Sequence, residues 1–179
     1  MDLVKILLLG CMLGTASLQA QEEEAIRWEA GLRLAWSDFR GQPPASKRIA
    51  ATTASGLSYS YTARGGPESY ELDFTVDTFF YPEKSWYHPE LCDARVLSHE
   101  QLHFDISELF ARRLRTRLRE TRFSGRVKAE VRKIFEQVNR ELSDFQDRYD
   151  RETDFSRNPE AQQAWNLAMP KLLSENPGR

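Results

Sequence analysis

His99-Glu100-Gln101-Leu102-His103 sets two imidazoles four residues apart, with a carboxylate beside the first. On a helix, residues i and i+4 lie about one turn apart on a single face. Two imidazoles so placed can bind one Zn²⁺ at about 2.0–2.1 Å each. Glu100, rotated about 100° from His99, reaches toward the fourth position, where zinc holds a water. Zinc lowers the pKa of that water, and Glu100 takes its proton as general base during attack on a carbonyl. The pattern therefore names His99 and His103 as metal ligands, Glu100 as the catalytic residue and Zn²⁺ as the cofactor.

A zinc site needs a third protein ligand. Asp105 and Glu108 lie on the same helix, but helical geometry turns both away from the His99/His103 face. They are expected to cap, pair or orient instead. His88, between Tyr87 and Pro89, is expected as an exposed loop residue and is a lesser candidate. The others are carboxylates further on: Asp144, Asp147, Asp150, Glu152 and Asp154. Spacing alone leaves these open.

The elements that must position these groups follow from periodicity. Val96, Leu97, Leu102, Ile106, Leu109, Phe110, Leu114 and Leu118 recur at helical spacing, with Asp93 placed to cap the start and Gly125 to end the helix. A second helix is predicted from Val127 to Tyr149, with an apolar stripe through Val131, Ile134, Phe135, Val138, Leu142 and Phe145. A third starts near Pro159, a favourable first position, and is expected to be interrupted at Pro170. Upstream the period switches to two. Ala30–Trp36 alternates as a short strand, and residues 50–64 and 70–81 alternate as a hairpin. Gly65-Gly66-Pro67 suggests a connection longer than two residues. Strands first and helices after make an α+β domain.

Met1–Ala20 has the composition of a secretory signal: Lys5, an apolar stretch over Ile6–Leu13, then small residues ending at Ala20. The competing reading is a lipoprotein site with Cys11 lipidated. Residues 21–179 are then one domain, exported to the periplasm or beyond. Cleavage leaves Cys92 alone, so the fold is held without a disulfide; Cys92 reads as a small buried residue. No apolar run reaches the roughly 18–20 residues of a membrane span. A net charge of −2 argues against coating nucleic acid. Arg112, Arg113, Arg115, Arg117, Arg119, Arg122, Arg126 and Lys128 form a basic run, read first as a solvated helix end and second as a face for an envelope partner. Trp86, in the loop before the first long helix, is placed to line a substrate cleft.

Three segments carry a family resemblance. Leu34-Ala35-Trp36-Ser37-Asp38-Phe39-Arg40-Gly41 resembles an opening LxWxDFxG; residues 99–108 resemble HEQxHFDIxE; Tyr149-Asp150-Arg151-Glu152-Thr153 resembles YDxxT. In this order they resemble the bacterial DUF922 family of predicted secreted zinc-dependent proteases. The resemblance implies a zincin-like α+β fold, with a strand edge beside the active helix that can take an extended peptide. Family members often carry a His two residues after the Thr of YDxxT, where this chain has Phe155. The resemblance therefore ranks Asp150 first as third metal ligand, with Asp154 and Glu152 behind it. Tyr149 reads as a core residue, with an oxyanion donor as the alternative. The expectation is an exported zinc metallohydrolase acting on peptide or protein. The alternative is an inactive zincin-fold envelope binding module, which Phe155 would favour.

Overall fold

The computed structural model describes residues 24–66 and 69–178. The expected signal segment 1–20, including Cys11, lies outside the described residues.

The alternating segments pair as expected. Strands β3 (Ser55–Gly66) and β4 (Ser69–Phe80) form an antiparallel hairpin, in register from Ser55 opposite Phe80 to Gly66 opposite Ser69. Leu57, Tyr59 and Tyr61 of β3 and Leu72, Phe74 and Val76 of β4 face the core, while Ser58, Ser60 and Thr62 stay exposed. The connection is shorter than the sequence suggested, because the ladder continues through Gly65 at φ 136°, a conformation that favours glycine.

The strand expected over Ala30–Trp36 does not form. A two-residue strand, β1 (Ile26–Arg27), pairs instead with the end of β4, giving the order β1-β4-β3. The alternation of Leu32, Leu34 and Trp36 reflects packing rather than pairing, since these side chains join a cluster with Phe39, Phe80 and Phe104. The Leu34 amide is satisfied by a side chain, donating to Gln101 Oε1 at 2.8 Å. Gly41 closes this clasp: its N–H donates to the carbonyls of Ser85 at 2.8 Å and Pro82 at 3.1 Å, and a Cβ there would lie 2.8 Å from the Glu83 and Ser85 oxygens. A second small sheet pairs β2 (Ala51–Thr52) with β5 (Trp86–Tyr87).

Three helices follow. α1 (Ala94–Glu120) is capped by Asp93, whose carboxylate accepts from the amides of Arg95 and Val96, both at 2.9 Å. It is the central element, packed on β3 and β4 and also against α2 and α3. Ile106, Leu109, Phe110 and Leu114 are fully buried, each contributing about 1.5–3 kcal/mol of apolar burial. α1 ends at Glu120, before Gly125. The chain leaves the helix there to bury Phe123 and bridge it to Tyr70, whose amide donates to the Phe123 carbonyl at 3.0 Å.

α2 runs Val127–Thr153, one turn beyond Tyr149. α3 runs Pro159–Glu175 and continues through Pro170. Pro170 is exposed, and the helix is anchored on either side of it by Met169 and by Leu172 and Leu173 against the core. Between α2 and α3, Asp154, Phe155 and Ser156 all have positive φ, at 47°, 52° and 69°.

The basic run is solvated in its second half, where Arg119, Arg122, Arg126 and Lys128 are exposed, but its first half is engaged. Arg112 and Arg115 pair with Glu108 at 2.9 and 3.0 Å, Arg117 forms a fork with Glu141, and Arg113 stacks over Phe110 at 4.5 Å. Arg112 also donates to the Leu173 carbonyl at 2.6 Å and Arg115 to the Val76 carbonyl at 3.0 Å, so these guanidiniums fasten α1 to α3, to β4 and, through Glu141, to α2. No helix among the described residues is long and apolar enough to cross a membrane.

Candidate metal centre

His99 and His103 share one face of α1, and Asp150 meets them from the last turns of α2. His99 Nε2 lies 3.1 Å from Asp150 Oδ1, His103 Nε2 lies 3.0 Å from the same oxygen, and the two Nε2 atoms are 3.2 Å apart. This grouping can hold a metal ion. It unites all three residues named as ligands from the sequence.

The far side of each ring is held as well. His99 Nδ1 lies 3.0 Å from Gln162 Oε1, and His103 Nδ1 lies 3.0 Å from Gln146 Oε1. A carbonyl oxygen only accepts, so each Nδ1–H donates outward; each Nε2 donates to Asp150 when its ring is protonated and is left to offer its lone pair to a metal when the ring is neutral. Gln162 is buried; its Nε2 donates to Asn166 Oδ1 at 3.0 Å and to the Tyr149 hydroxyl at 2.9 Å. Gln146 also reaches Ser107 Oγ at 3.3 Å, and Ser107 meets Ser55 Oγ at 2.8 Å, linking the centre to the start of β3.

Neither glutamine was anticipated from the sequence. Gln146 had a signal, since it sits one turn before Asp150 on the same helix face. Gln162 had none, because it arrives from α3 by tertiary packing.

Tyr149 takes the core role. It is fully buried, its ring stacks on His99 at 4.5 Å, and its hydroxyl donates to the His99 carbonyl at 3.2 Å. Burial pushes its pKa up. Thr153 ends the motif by donating to the Tyr149 carbonyl at 2.8 Å, with its hydroxyl 3.5 Å from His99 Nδ1.

The alternative carboxylates point elsewhere. Asp144 and Asp147 are exposed, Glu152 accepts from Trp165 Nε1 at 2.9 Å, and Asp154 pairs with Arg157 at 2.7 Å. Phe155 is exposed, with the Arg157 guanidinium 5.7 Å from its ring. Asp105 and Glu108 face away from the metal ligands. Asp105 accepts from Trp28 Nε1 at 2.8 Å and Gln101 Nε2 at 3.1 Å, and burial raises its pKa. Glu108 accepts from Thr78, Arg112 and Arg115.

Electrostatics in the protein alone fit a carboxylate between imidazoles. Burial works against the charged form of Asp150, but hydrogen bonds from His103 and His99 outweigh it and hold its pKa well below the usual carboxylate range. Burial likewise opposes protonation of His103, yet the carboxylates of Asp150 and Glu100 raise its pKa.

Glu100 is 4% exposed, and its Oε2 has no hydrogen-bond partner. Its backbone carbonyl accepts from Thr53 Oγ1 at 3.2 Å. His88, expected to be exposed, is buried at the end of β5. Its amide pairs with the Ala50 carbonyl at 2.8 Å and Trp86 packs edge-on at 5.6 Å, which together draw it inside. Cys92 is partly buried, its thiol 3.4 Å from the same Ala50 carbonyl, and burial pushes its pKa up to about 11, so it is an inert thiol at neutral pH.

Residues 31–158 match the family described as "Bacterial protein of unknown function (DUF922)", and the chain belongs to that family. No curated protein and no solved structure matches it.

Proposed function

Taking the chain as the DUF922 protein it is, we propose an exported, zinc-dependent hydrolase of peptide bonds with a zincin-like arrangement of strand edge and active helix. The observation that carries the reading is the convergence of His99 Nε2, His103 Nε2 and Asp150 Oδ1, with the outer nitrogen of each imidazole held by a glutamine oxygen.

The donor set fits zinc. Two imidazoles and one carboxylate leave the fourth position open, the pattern of catalytic rather than structural zinc sites. Ligand bonds of about 2.0–2.1 Å in a tetrahedron put donors roughly 3.3–3.4 Å apart. The separations of 3.0, 3.1 and 3.2 Å lie only slightly inside that. The unpaired Glu100 oxygen is the second element of fit: a buried carboxylate oxygen without a partner is costly unless a polar group meets it.

When bound, zinc supplies a Lewis acid and lowers the pKa of a water at the open position. Glu100 would act as the base, taking a proton from the attacking water and giving it to the departing amine as the C–N bond breaks. Gln146 and Gln162 keep the imidazoles oriented throughout.

β3 has β4 on one side and no strand on the other among the described residues, and its first residue, Ser55, touches Ser107 of the active helix. An extended peptide can add to that edge by main-chain pairing. The alternative of an inactive binding module drew on Phe155 as a lost ligand. Asp150 offers a third donor beside both imidazoles, so the reading needs nothing from position 155. The test is hydrolysis of a mixed, unstructured peptide pool by the zinc-loaded protein. Cleavage by the wild type and its loss in Glu100→Gln is the expected result; no cleavage by zinc-loaded wild type contradicts the reading.

A further inference from the structure

His88 Nε2 and Glu100 Oε2 are the two buried side-chain atoms without a hydrogen-bond partner among the described residues. Such atoms are rare in folded proteins, and each is destabilising if it stays unmet. Here the two belong to residues only 6% and 4% exposed. One is a potential donor and the other an acceptor.

They also belong to neighbouring parts of the fold. The Ala50 carbonyl accepts from the His88 amide at 2.8 Å and from the Cys92 thiol at 3.4 Å. Three residues on, Thr53 donates to the backbone of Glu100 at 3.2 Å. The segment 50–53 thus holds His88 at one end and Glu100 at the other, with β2 pairing to β5 between them. The negative charge of Glu100 also raises the pKa of the Cys92 thiol, after the larger effect of burial.

We infer that His88 is a positioning residue for Glu100: its Nε2–H donates to a shared water that in turn donates to Glu100 Oε2. The two are not directly bonded, and a single water meets both needs with one molecule. The consequence is functional. A carboxylate that must accept a proton at one oxygen works best when it is kept from rotating. The imidazole supplies that restraint through the shared water. The inference deepens the hydrolase reading, on which its catalytic meaning rests, but its test does not depend on turnover.

The chain has three histidines, so long-range ¹⁵N–¹H spectra of the full protein give one resolvable pattern per ring. Two variants are compared with wild type, both without added metal. Glu100→Gln replaces the acceptor while keeping its shape. Glu90→Gln removes a carboxylate that is exposed and paired with Lys47, two residues from His88. The expected result is a protonated Nε2 on His88 whose resonance moves in Glu100→Gln and stays in place in Glu90→Gln. An unmoved His88 resonance in Glu100→Gln overturns the inference. So does an equal movement in Glu90→Gln, which would show a general response to charge. His88→Gln, checked for a cooperative thermal transition, adds a second readout: zinc content unchanged, and, where cleavage is measurable, kcat lowered with KM kept. Loss of zinc in His88→Gln would also overturn it. Failure of the hydrolase reading shows up separately, as absent zinc or absent cleavage, and leaves the spectra unaffected.

Discussion

Gln162→Met removes the partner of His99 Nδ1 while roughly keeping volume. In the native protein Gln162 is 2% exposed and serves three neighbours: His99 at 3.0 Å, the Tyr149 hydroxyl at 2.9 Å and Asn166 at 3.0 Å. Thioether sulfur replaces none of these bonds well. Freed from its acceptor, the His99 ring can rotate or carry its proton on Nε2, where it blocks the lone pair a metal needs. Partners of this kind are worth about 10–100-fold in metal affinity, or roughly 1.4–2.7 kcal/mol. Polar atoms left unmet in the core cost about 1–3 kcal/mol more in folding stability. Gln146→Met makes the useful comparison. Gln146 is half-buried, so water can replace it at His103 Nδ1, and the affinity loss should sit at the low end of that range. Both are measured by competition for Zn²⁺ against a chromophoric chelator, with chemical denaturation alongside. A Gln162→Met variant that binds zinc as tightly as wild type would refute the claim that this glutamine sets the His99 tautomer.

Three further outcomes are expected. Glu100→Gln should keep its zinc, because Glu100 is not among the three converging donors, and should lose cleavage by orders of magnitude; zinc loss would make Glu100 a ligand instead. The thermal stabilisation given by zinc should be larger at pH 8 than at pH 6, measured by melting with and without metal. Without metal, the raised pKa of His103 stabilises the fold fully below its unfolded value of about 6.5, and that contribution is lost as pH rises through the folded pKa. Asp150, with its lowered pKa, contributes above the unfolded carboxyl value and loses that only as pH falls through its own folded pKa, so it is constant across this window. Zinc needs both imidazoles neutral, so its gain grows as the metal-free fold weakens; an equal or larger gain at pH 6 would contradict this. Gly41→Ala should destabilise by about 1–3 kcal/mol, read from the denaturant midpoint, because its Cβ would press two backbone carbonyls that cannot retreat without breaking the clasp; an unchanged midpoint would show that the loop yields freely.

The centre was legible where chemistry follows from local geometry. His99, Glu100 and His103 are fixed by helical spacing alone, and the helix carrying them is marked by its apolar period and by Asp93 at its cap. Asp150 needed the family motif, because Asp147 and Glu152 lie as close in sequence and differ only in facing solvent. The opening motif was legible as a motif but not as a job. Trp36 stacks on Tyr87 at 4.5 Å, Asp38 accepts from the Ala35 amide at 2.7 Å and Phe39 packs on Phe80, so the motif clamps its segment onto β5 and the end of β4. What stayed hidden depends on tertiary partners. β1 exists only because the end of β4 offers it two residues to pair with. Alternation over residues 30–36 mimicked a strand because one side of an irregular segment faces Phe104. His88 looked like a loop residue because its burial comes with the pairing of β5 to β2, a tertiary contact that the local sequence does not show. Arg113 and Arg117 looked solvated because the ring of Phe145 and the carboxylate of Glu141 come from α2.

The central claim is that the three converging donors hold zinc, and metal content tests it most directly. The protein is loaded with Zn²⁺ at neutral pH, freed of excess and measured by elemental mass spectrometry beside His103→Ala and Asp150→Ala. The account predicts about one zinc per chain in the wild type and little in either variant that still shows a cooperative melt. A wild type without zinc after loading, or folded variants that retain it in full, would contradict the account.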